Sequence, residues 1–177
     1  MEVTLPKLTL IIGGAASGKS QLAEDLVFSV KQPRAYIATA QAYDTEMKTK
    51  ISKHQARRGT EWDNYDAPFA PWDALAKINT SHIVLLDCAT LWLSNILLND
   101  QDITVAKDKL FAGLKDFNGA LIVVTNEVGQ GIVPDNKLAR EFRQHQGELN
   151  QGLAALSDLV VLVTAGLPLA LKGRMPQ

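Results

Sequence analysis

The sequence is short of several things, and each shortage excludes a class of protein. There is one cysteine, Cys88, so no internal disulfide is available to hold the fold, which fits a reducing compartment. Charge of one sign is missing too: 18 Lys+Arg against 19 Asp+Glu leave a formal charge of −1. A general nucleic-acid binder needs a basic surplus to hold phosphates, so no nucleic-acid partner is expected. Long hydrophobic runs are absent as well. The longest apolar stretch, 159–171, is broken by Thr164, Gly166 and Pro168 and is too short to span a bilayer. Glu2 and the brief apolar run 8–12 do not make a signal peptide. The expectation is a cytoplasmic protein without a membrane anchor. No repeat, low-complexity tract, Pro/Gly/Ser-rich linker or zinc-like Cys/His spacing is visible.

What is present is an ordinary globular composition, 46% hydrophobic and 21% charged, over 177 residues. That length suits one domain, 1–177, with enough chain to bury a core without disulfides or structural metal. Short apolar runs alternate with longer amphipathic stretches, the pattern of βαβ units around a parallel sheet. The predicted strands are 8–12, 35–38, 82–86, 120–124 and 159–164, nearly continuously apolar, as strands covered on both faces should be. Residues 169–172 add a short edge strand. Predicted helices cover 19–30, 44–57, 91–98, 105–115 and 137–156, with Thr104 and Asp135 as N-caps of the last two. The stretch 59–78 has no clear assignment. The fold class expected is α/β and P-loop NTPase-like, a mostly parallel central sheet flanked by helices.

Directly after the first strand stands Gly13-Gly14-Ala15-Ala16-Ser17-Gly18-Lys19-Ser20, a full match to G-x-x-x-x-G-K-[ST]. Glycines let backbone N–H groups turn inward around phosphate oxygens at a helix N-terminus. Lys19 reaches the β- and γ-phosphates, and the Ser20 hydroxyl can ligate Mg²⁺. With a strand before it and a helix after it, the loop points to a purine nucleoside triphosphate.

Asp87 closes the apolar run 83–87 and reads as a second carboxylate for the Mg²⁺ shell; the alternative is a cap for the helix beginning near Ala89. Cys88 beside it reads as a small buried residue rather than a nucleophile, because no basic partner is evident. On the helix 44–57, His54 has Arg57 and Arg58 three and four residues further on. An imidazole beside two guanidinium groups suits attack on, or holding of, phosphate, since the arginines favour the neutral imidazole. By spacing alone, a solvent-facing histidine on a basic helix fits as well. After the strand 120–124, Thr125-Asn126-Glu127-Val128-Gly129 places Asn126 and Glu127 on the ligand side of a parallel sheet, as functional groups or as a structural turn.

Taken in order, these segments resemble the bifunctional adenosylcobinamide kinase/adenosylcobinamide-phosphate guanylyltransferase family of cobalamin biosynthesis. The resemblance runs through Gly13 to Ser20, then Tyr36-Ile37-Ala38-Thr39-Ala40-Gln41, Glu46-Met47 and His54-Gln55-Ala56-Arg57-Arg58-Gly59. It continues with Leu85-Leu86-Asp87-Cys88, Thr125 to Gly129, Gly131-Ile132-Val133-Pro134, Leu138-Ala139-Arg140 and Asn150-Gln151. A P-loop alone is shared by many families; this ordered set is specific.

The resemblance implies two reactions at one nucleotide site. ATP or GTP phosphorylates the aminopropanol hydroxyl of adenosylcobinamide. GTP then guanylylates a histidine, and GMP passes to adenosylcobinamide phosphate, giving adenosylcobinamide-GDP and pyrophosphate. His54 matches the histidine that carries GMP, and the resemblance rather than the spacing makes it the nucleophile, with Lys19 as the second catalytic group. The nucleotide site it implies comprises Gly13, Gly14, Ala15, Ala16, Ser17, Gly18, Lys19, Ser20, Thr39, Ala40, Gln41, Gln55, Ala56, Arg57, Arg58, Asp66 and Asp87. Mg²⁺ would be held by Ser20 and Asp87. A homo-oligomer, a trimer, is also implied.

One departure stands out. The family loop commonly has Arg where this chain has Ala16; backbone N–H groups and Lys19 still make the cradle, and any part that arginine takes in phosphoryl transfer is missing here. Two other readings fit the P-loop: a plain small-metabolite kinase in which His54 is idle, and a GTP-dependent binding or switch protein.

Overall fold

A computed structural model describes residues 4–41 and 61–176. The predicted helix 44–57, with His54, Gln55, Ala56, Arg57 and Arg58, lies outside the described residues. In chain order the elements are β1 (Leu8–Gly13), α1 (Lys19–Phe28), β2 (Arg34–Ala38), β3 (Asp63–Asp66), α2 (Pro71–Leu75), β4 (Ile83–Asp87), α3 (Ala89–Leu98), α4 (Ile103–Asp116), β5 (Leu121–Asn126), α5 (Lys137–Leu156), β6 (Leu159–Thr164) and β7 (Leu167–Lys172). They form one seven-stranded sheet in the order β3-β2-β4-β5-β1-β6-β7. Every pairing is parallel except that of β7, which returns antiparallel along β6.

Apolar runs become parallel strands here because both faces are covered. Leu8, Leu10, Val84, Leu86, Leu121 and Val123 face one side and pack with Trp92, Leu93 and Ile96 of α3, Leu110 and Leu114 of α4, and Leu149 and Leu153 of α5. The alternate residues, Ile11, Ile83, Leu85, Ile122, Val124, Val161 and Val163, face α1 through Ala23, Leu26 and Val27. Each such side chain withdrawn from water stabilises the fold by roughly 1.5–3 kcal/mol before the entropy cost of ordering it. β7 is different: all six of its residues are exposed, Leu167, Leu169 and Leu171 among them.

The expected strands sit within two residues of the observed ones, and the edge strand starts two residues earlier than read, at Leu167. The unassigned stretch contains β3 and α2. β3 reads Asp-Asn-Tyr-Asp, with no apolar alternation to announce it, and it exists because β2 offers a free edge for Ala35 to Ala38 to pair with Asp63 to Asp66. Both expected caps are corrected. Asp102 caps α4, its carboxylate accepting from the Val105 N–H at 3.0 Å, and Thr104 lies within the first turn. Asn136 caps α5, accepting from the Ala139 N–H at 2.8 Å, in place of Asp135. In each case the side-chain oxygen three residues before the waiting N–H makes the bond.

Among the described residues, no helix is long and apolar enough to cross a membrane. Trp92 is the largest fully buried side chain, and its indole N–H donates to the Phe69 carbonyl at 3.0 Å, tying α3 to the loop before α2. Trp92→Ala removes both the packing and the bond; a loss of about 3–5 kcal/mol is expected, measured by urea unfolding with circular dichroism as the readout.

Candidate active site

The parallel register brings the candidate residues to one edge. Gly13 pairs with Asn126 and with Val163, Asp87 pairs with Ala38 and Val124, and Ala38 pairs with Asp66. The carboxyl ends of β3, β2, β4, β5 and β1 therefore present Asp66, Thr39 to Gln41, Asp87, Asn126 and the P-loop along a single line, where open α/β sheets bind ligands. β5 lies between the strands ending in Gly13 and Asp87, which puts those strands about 10 Å apart at the usual interstrand spacing.

The loop from Gly13 to Ser20 is shaped by close approaches. A Cβ at Gly13 would lie 2.5 Å from both the Ser17 hydroxyl oxygen and the Val163 carbonyl, so only glycine fits. Gly18, at φ 96°, is in the left-handed region and starts α1; a Cβ there would also lie 3.2 Å from Gly166 Cα. Ala16 is left-handed too, at φ 54°. The Gly166 N–H donates to the Ser17 carbonyl at 2.8 Å and the Glu127 N–H to the Gly13 carbonyl at 3.0 Å, bracing the loop from the β6–β7 turn and from the residue after β5. Lys19 Nζ donates to the Gly14 carbonyl at 3.0 Å, curling back over the cradle. Ser20 is half-buried in the first turn of α1, and Ala15 is exposed. The Ser17 hydroxyl is buried with no hydrogen-bond partner among the described residues.

Asp87 does not cap the helix after it. Cys88 is the N-cap of α3, its Sγ accepting from the Leu91 N–H, and Asp87 instead accepts from the Tyr36 hydroxyl at 2.7 Å, half-buried at the end of β4. Thr39 is fully buried and spends its hydroxyl on the same turn: it donates to the Cys88 carbonyl at 2.8 Å and accepts from the Cys88 N–H at 2.9 Å. Asn95 donates to the Thr39 carbonyl at 2.7 Å. Thr39 is thus a brace under the site. Ala40 and Gln41 are half-buried beyond it, and Asp66 is exposed at the end of β3.

Sequence reasoning passed over a buried polar network beneath the site. The Thr125 hydroxyl donates to Asn150 Oδ1 at 2.8 Å, and Gln146 Nε2 donates to both Thr125 and Asn150. Thr90 faces Thr125 at 3.3 Å, and its hydroxyl accepts from the Asn126 N–H at 2.8 Å, while Asn150 donates to the Asn126 carbonyl at 3.0 Å. The available signal was Gln146 and Asn150, one turn apart on the apolar face of an amphipathic helix. A cavity of about 180 Å³ opens beside the P-loop, lined by Gly14, Glu127, Val128, Gln130, Gly131, Leu162 and Thr164.

For Mg²⁺ the donor set fits: a serine hydroxyl and one carboxylate are hard oxygens, and an ion of this kind keeps waters and takes substrate phosphates rather than an all-protein cage. Among the described residues there is no group of three or more His, Cys, Asp and Glu that would hold a metal by protein ligands alone.

The model of the cobinamide kinase/cobinamide phosphate guanyltransferase family matches residues 9–171. The chain belongs to this family. It is 41% identical over 167 residues to the bifunctional adenosylcobalamin biosynthesis protein CobP of Pseudomonas aeruginosa, covering 93% of this chain and 96% of that one. It is 36% identical to the corresponding CobU of Escherichia coli over 185 residues, covering 93% and 99%. Solved structures agree on the fold alone. A Pyrococcus horikoshii protein superimposes with a TM-score of 0.54 at 11% identity, over 97% of this chain and 88% of its own. An ATPase from the type III secretion system of pathogenic bacteria gives 0.52 at 10%, over 94% and 57%. This cobinamide kinase/guanyltransferase is an enzyme built on the P-loop NTPase fold, as its sequence implies.

Cys88 is buried and caps α3 through its Sγ. Burial first, and then the neighbouring Asp87 charge, push its thiol up to about 12, so at neutral pH it is protonated and enclosed. In the native protein it should react negligibly with a disulfide reagent such as Ellman's at pH 8, and react fully once guanidinium unfolds the chain; rapid native labelling would contradict the site as described.

Proposed function

We propose that the chain carries out both reactions of its family at one nucleotide site, as a single P-loop catalytic domain. ATP or GTP phosphorylates the aminopropanol hydroxyl of adenosylcobinamide; GTP then guanylylates His54, and GMP passes to adenosylcobinamide phosphate, yielding adenosylcobinamide-GDP and pyrophosphate. The observation that carries this reading is the single edge on which the register aligns the Gly13 to Ser20 loop with Asp87, in a chain whose family performs these two transfers.

The residues divide the work as follows. N–H groups of the loop and Lys19 hold the β- and γ-phosphates and offset the charge that develops on the leaving diphosphate. Ser20 and Asp87 would hold Mg²⁺, which supplies charge neutralisation and orientation of the phosphates. Tyr36 keeps Asp87 in place, and Thr39 holds the turn that follows it. Asp66, Ala40 and Gln41 line the outer part of the nucleotide site; the resemblance assigns Gln55, Ala56, Arg57 and Arg58 to nucleotide binding as well. Covalent transfer through His54 splits one difficult displacement into two and retains GMP between partners. The resemblance puts an arginine where this loop has Ala16, so Lys19 and the backbone donors carry more of the transition-state charge in the kinase step.

We also propose a cytoplasmic homo-oligomer, a trimer. What supports assembly is β7: an open edge strand with Leu167, Leu169 and Leu171 at 72, 59 and 58% exposure is the kind of surface that another subunit covers. Light scattering should give three times the chain mass, falling on Leu169→Lys; a monomeric parent would overturn this part.

The catalytic reading is tested with Mg²⁺ and GTP labelled at the α-phosphate. The denatured protein should retain label that is acid-labile and base-resistant, absent in His54→Ala, and discharged to adenosylcobinamide phosphate. GTP binding without covalent label, alongside phosphorylation of the corrinoid, would leave a plain kinase; binding with no corrinoid turnover would leave a GTP-dependent binding protein.

A further inference from the structure

Asn126 is held in an unusual way. Its backbone N–H is taken by the Thr90 hydroxyl at 2.8 Å and its carbonyl by Asn150 Nδ2 at 3.0 Å, so both sides of the residue are fixed by the buried network. Its own side-chain amide, half-buried, makes no hydrogen bond among the described residues. Four side chains from three elements converge to fix a strand end whose own polar group is left over. A buried network of this kind is costly unless fully satisfied, so its placement under one residue calls for a reason.

Strand alternation says where that amide lies. Ile122 and Val124 of β5 face α1, and Thr125 faces α5 through Asn150 and Gln146. Asn126 therefore projects on the α1 face. On β4, Ile83 and Leu85 face α1, and Asp87 shares that face, bonded to Tyr36, which belongs to the same cluster. On β1, Ile11 faces α1, and Gly13 follows two residues later at the start of the P-loop, paired with Asn126 in register. The amide thus stands on the face of Asp87 and the P-loop, on the one strand between them.

We infer that Asn126 is a further catalytic residue of phosphoryl transfer, its side-chain N–H donating to an oxygen of the transferring γ-phosphoryl group. The inference rests on the kinase reading above. In that step the corrinoid hydroxyl oxygen bonds to the γ-phosphorus as the bond to the β–γ bridging oxygen breaks. The electron pair leaves with the nucleoside diphosphate, and the hydroxyl proton passes to solvent. Charge spreads over the equatorial oxygens as this happens, and a donor fixed beforehand stabilises it without reorganising.

Asn126→Ala and Asn126→Asp test this. The first removes the donor; the second keeps the shape and replaces the donor with a carboxylate that the triphosphate repels. Because the side chain has no partner among the described residues, both variants should unfold at the parent's temperature. In Asn126→Ala, GTP should bind as in the parent, and KM for both substrates should be unchanged. Its kcat for adenosylcobinamide phosphorylation should drop about 100-fold, the scale of losing one transition-state donor; Asn126→Asp should lose at least as much. A parent that binds GTP yet phosphorylates no corrinoid would sink the kinase reading and the inference with it. An active parent whose Asn126→Ala variant keeps its kcat would overturn the inference alone. A variant that loses stability, or whose KM alone rises, would assign the side chain to structure or to ground-state binding and overturn it too.

Discussion

The turn at Gly13 has no room for a side chain, and the rest of the site depends on that crowding. β1 runs between β5 and β6, and at its last residue the Val163 carbonyl and the Ser17 hydroxyl come within 2.5 Å of where a Cβ would be. The chain can pass only as bare backbone before it turns through Gly18 into α1. Bonds from Gly166 to Ser17 and from Glu127 to Gly13 then hold the loop from the β6–β7 turn and from the end of β5. A phosphate cradle of this kind gets its strength from being arranged in advance, since donors that need not move cost nothing at the moment of reaction.

Asp87 and Asn126 are placed by the same logic with different materials. At Asp87 the clamp is local: the Tyr36 hydroxyl holds the carboxylate, and Thr39 bonds both polar groups of the Cys88 backbone. At Asn126 it is remote, running from α5 through Asn150, Gln146 and Thr125 to the strand end, with Thr90 of α3 closing the other side. Hydrogen bonds inside a protein are strong because nothing competes with them, and an unmatched partner costs about 1–3 kcal/mol. The remote clamp therefore spaces α5 and α3 from the ligand edge, while the local one ties the end of β4 to β2.

The sheet is unequally covered. Its middle strands are sealed between α1 on one face and α3, α4 and α5 on the other, which gives the ligand edge a rigid base. β7 pairs with β6, yet all of its residues are exposed, leucines included. It still contributes to the centre, because the turn into it supplies Gly166, which touches the P-loop at Gly18 and bonds Ser17. Changes at that outer strand can therefore reach the phosphate cradle through one short turn.

Much of this was legible in one dimension. Buried parallel strands must be apolar on both faces, so β1, β2, β4, β5 and β6 announced themselves, and the P-loop is contiguous in sequence because one turn has to make the whole cradle. The ordered motifs carried the family as well. What stayed hidden depends on partners distant in the chain. β3 is polar and exists by pairing with β2; the caps Asp102 and Asn136 are decided by which oxygen meets a waiting N–H. Asp87 could read as cap or carboxylate until Cys88 was seen to hold the cap. Gln146 and Asn150 lie some twenty residues beyond Thr125 and Asn126, and only the packing of α5 on β5 brings them together. Periodicity and local chemistry determine which segments become strands, helices and loops, because those depend on neighbours in the chain. Which side chains share one edge of the sheet, and what holds them there, depends on register and packing, which only the folded chain decides.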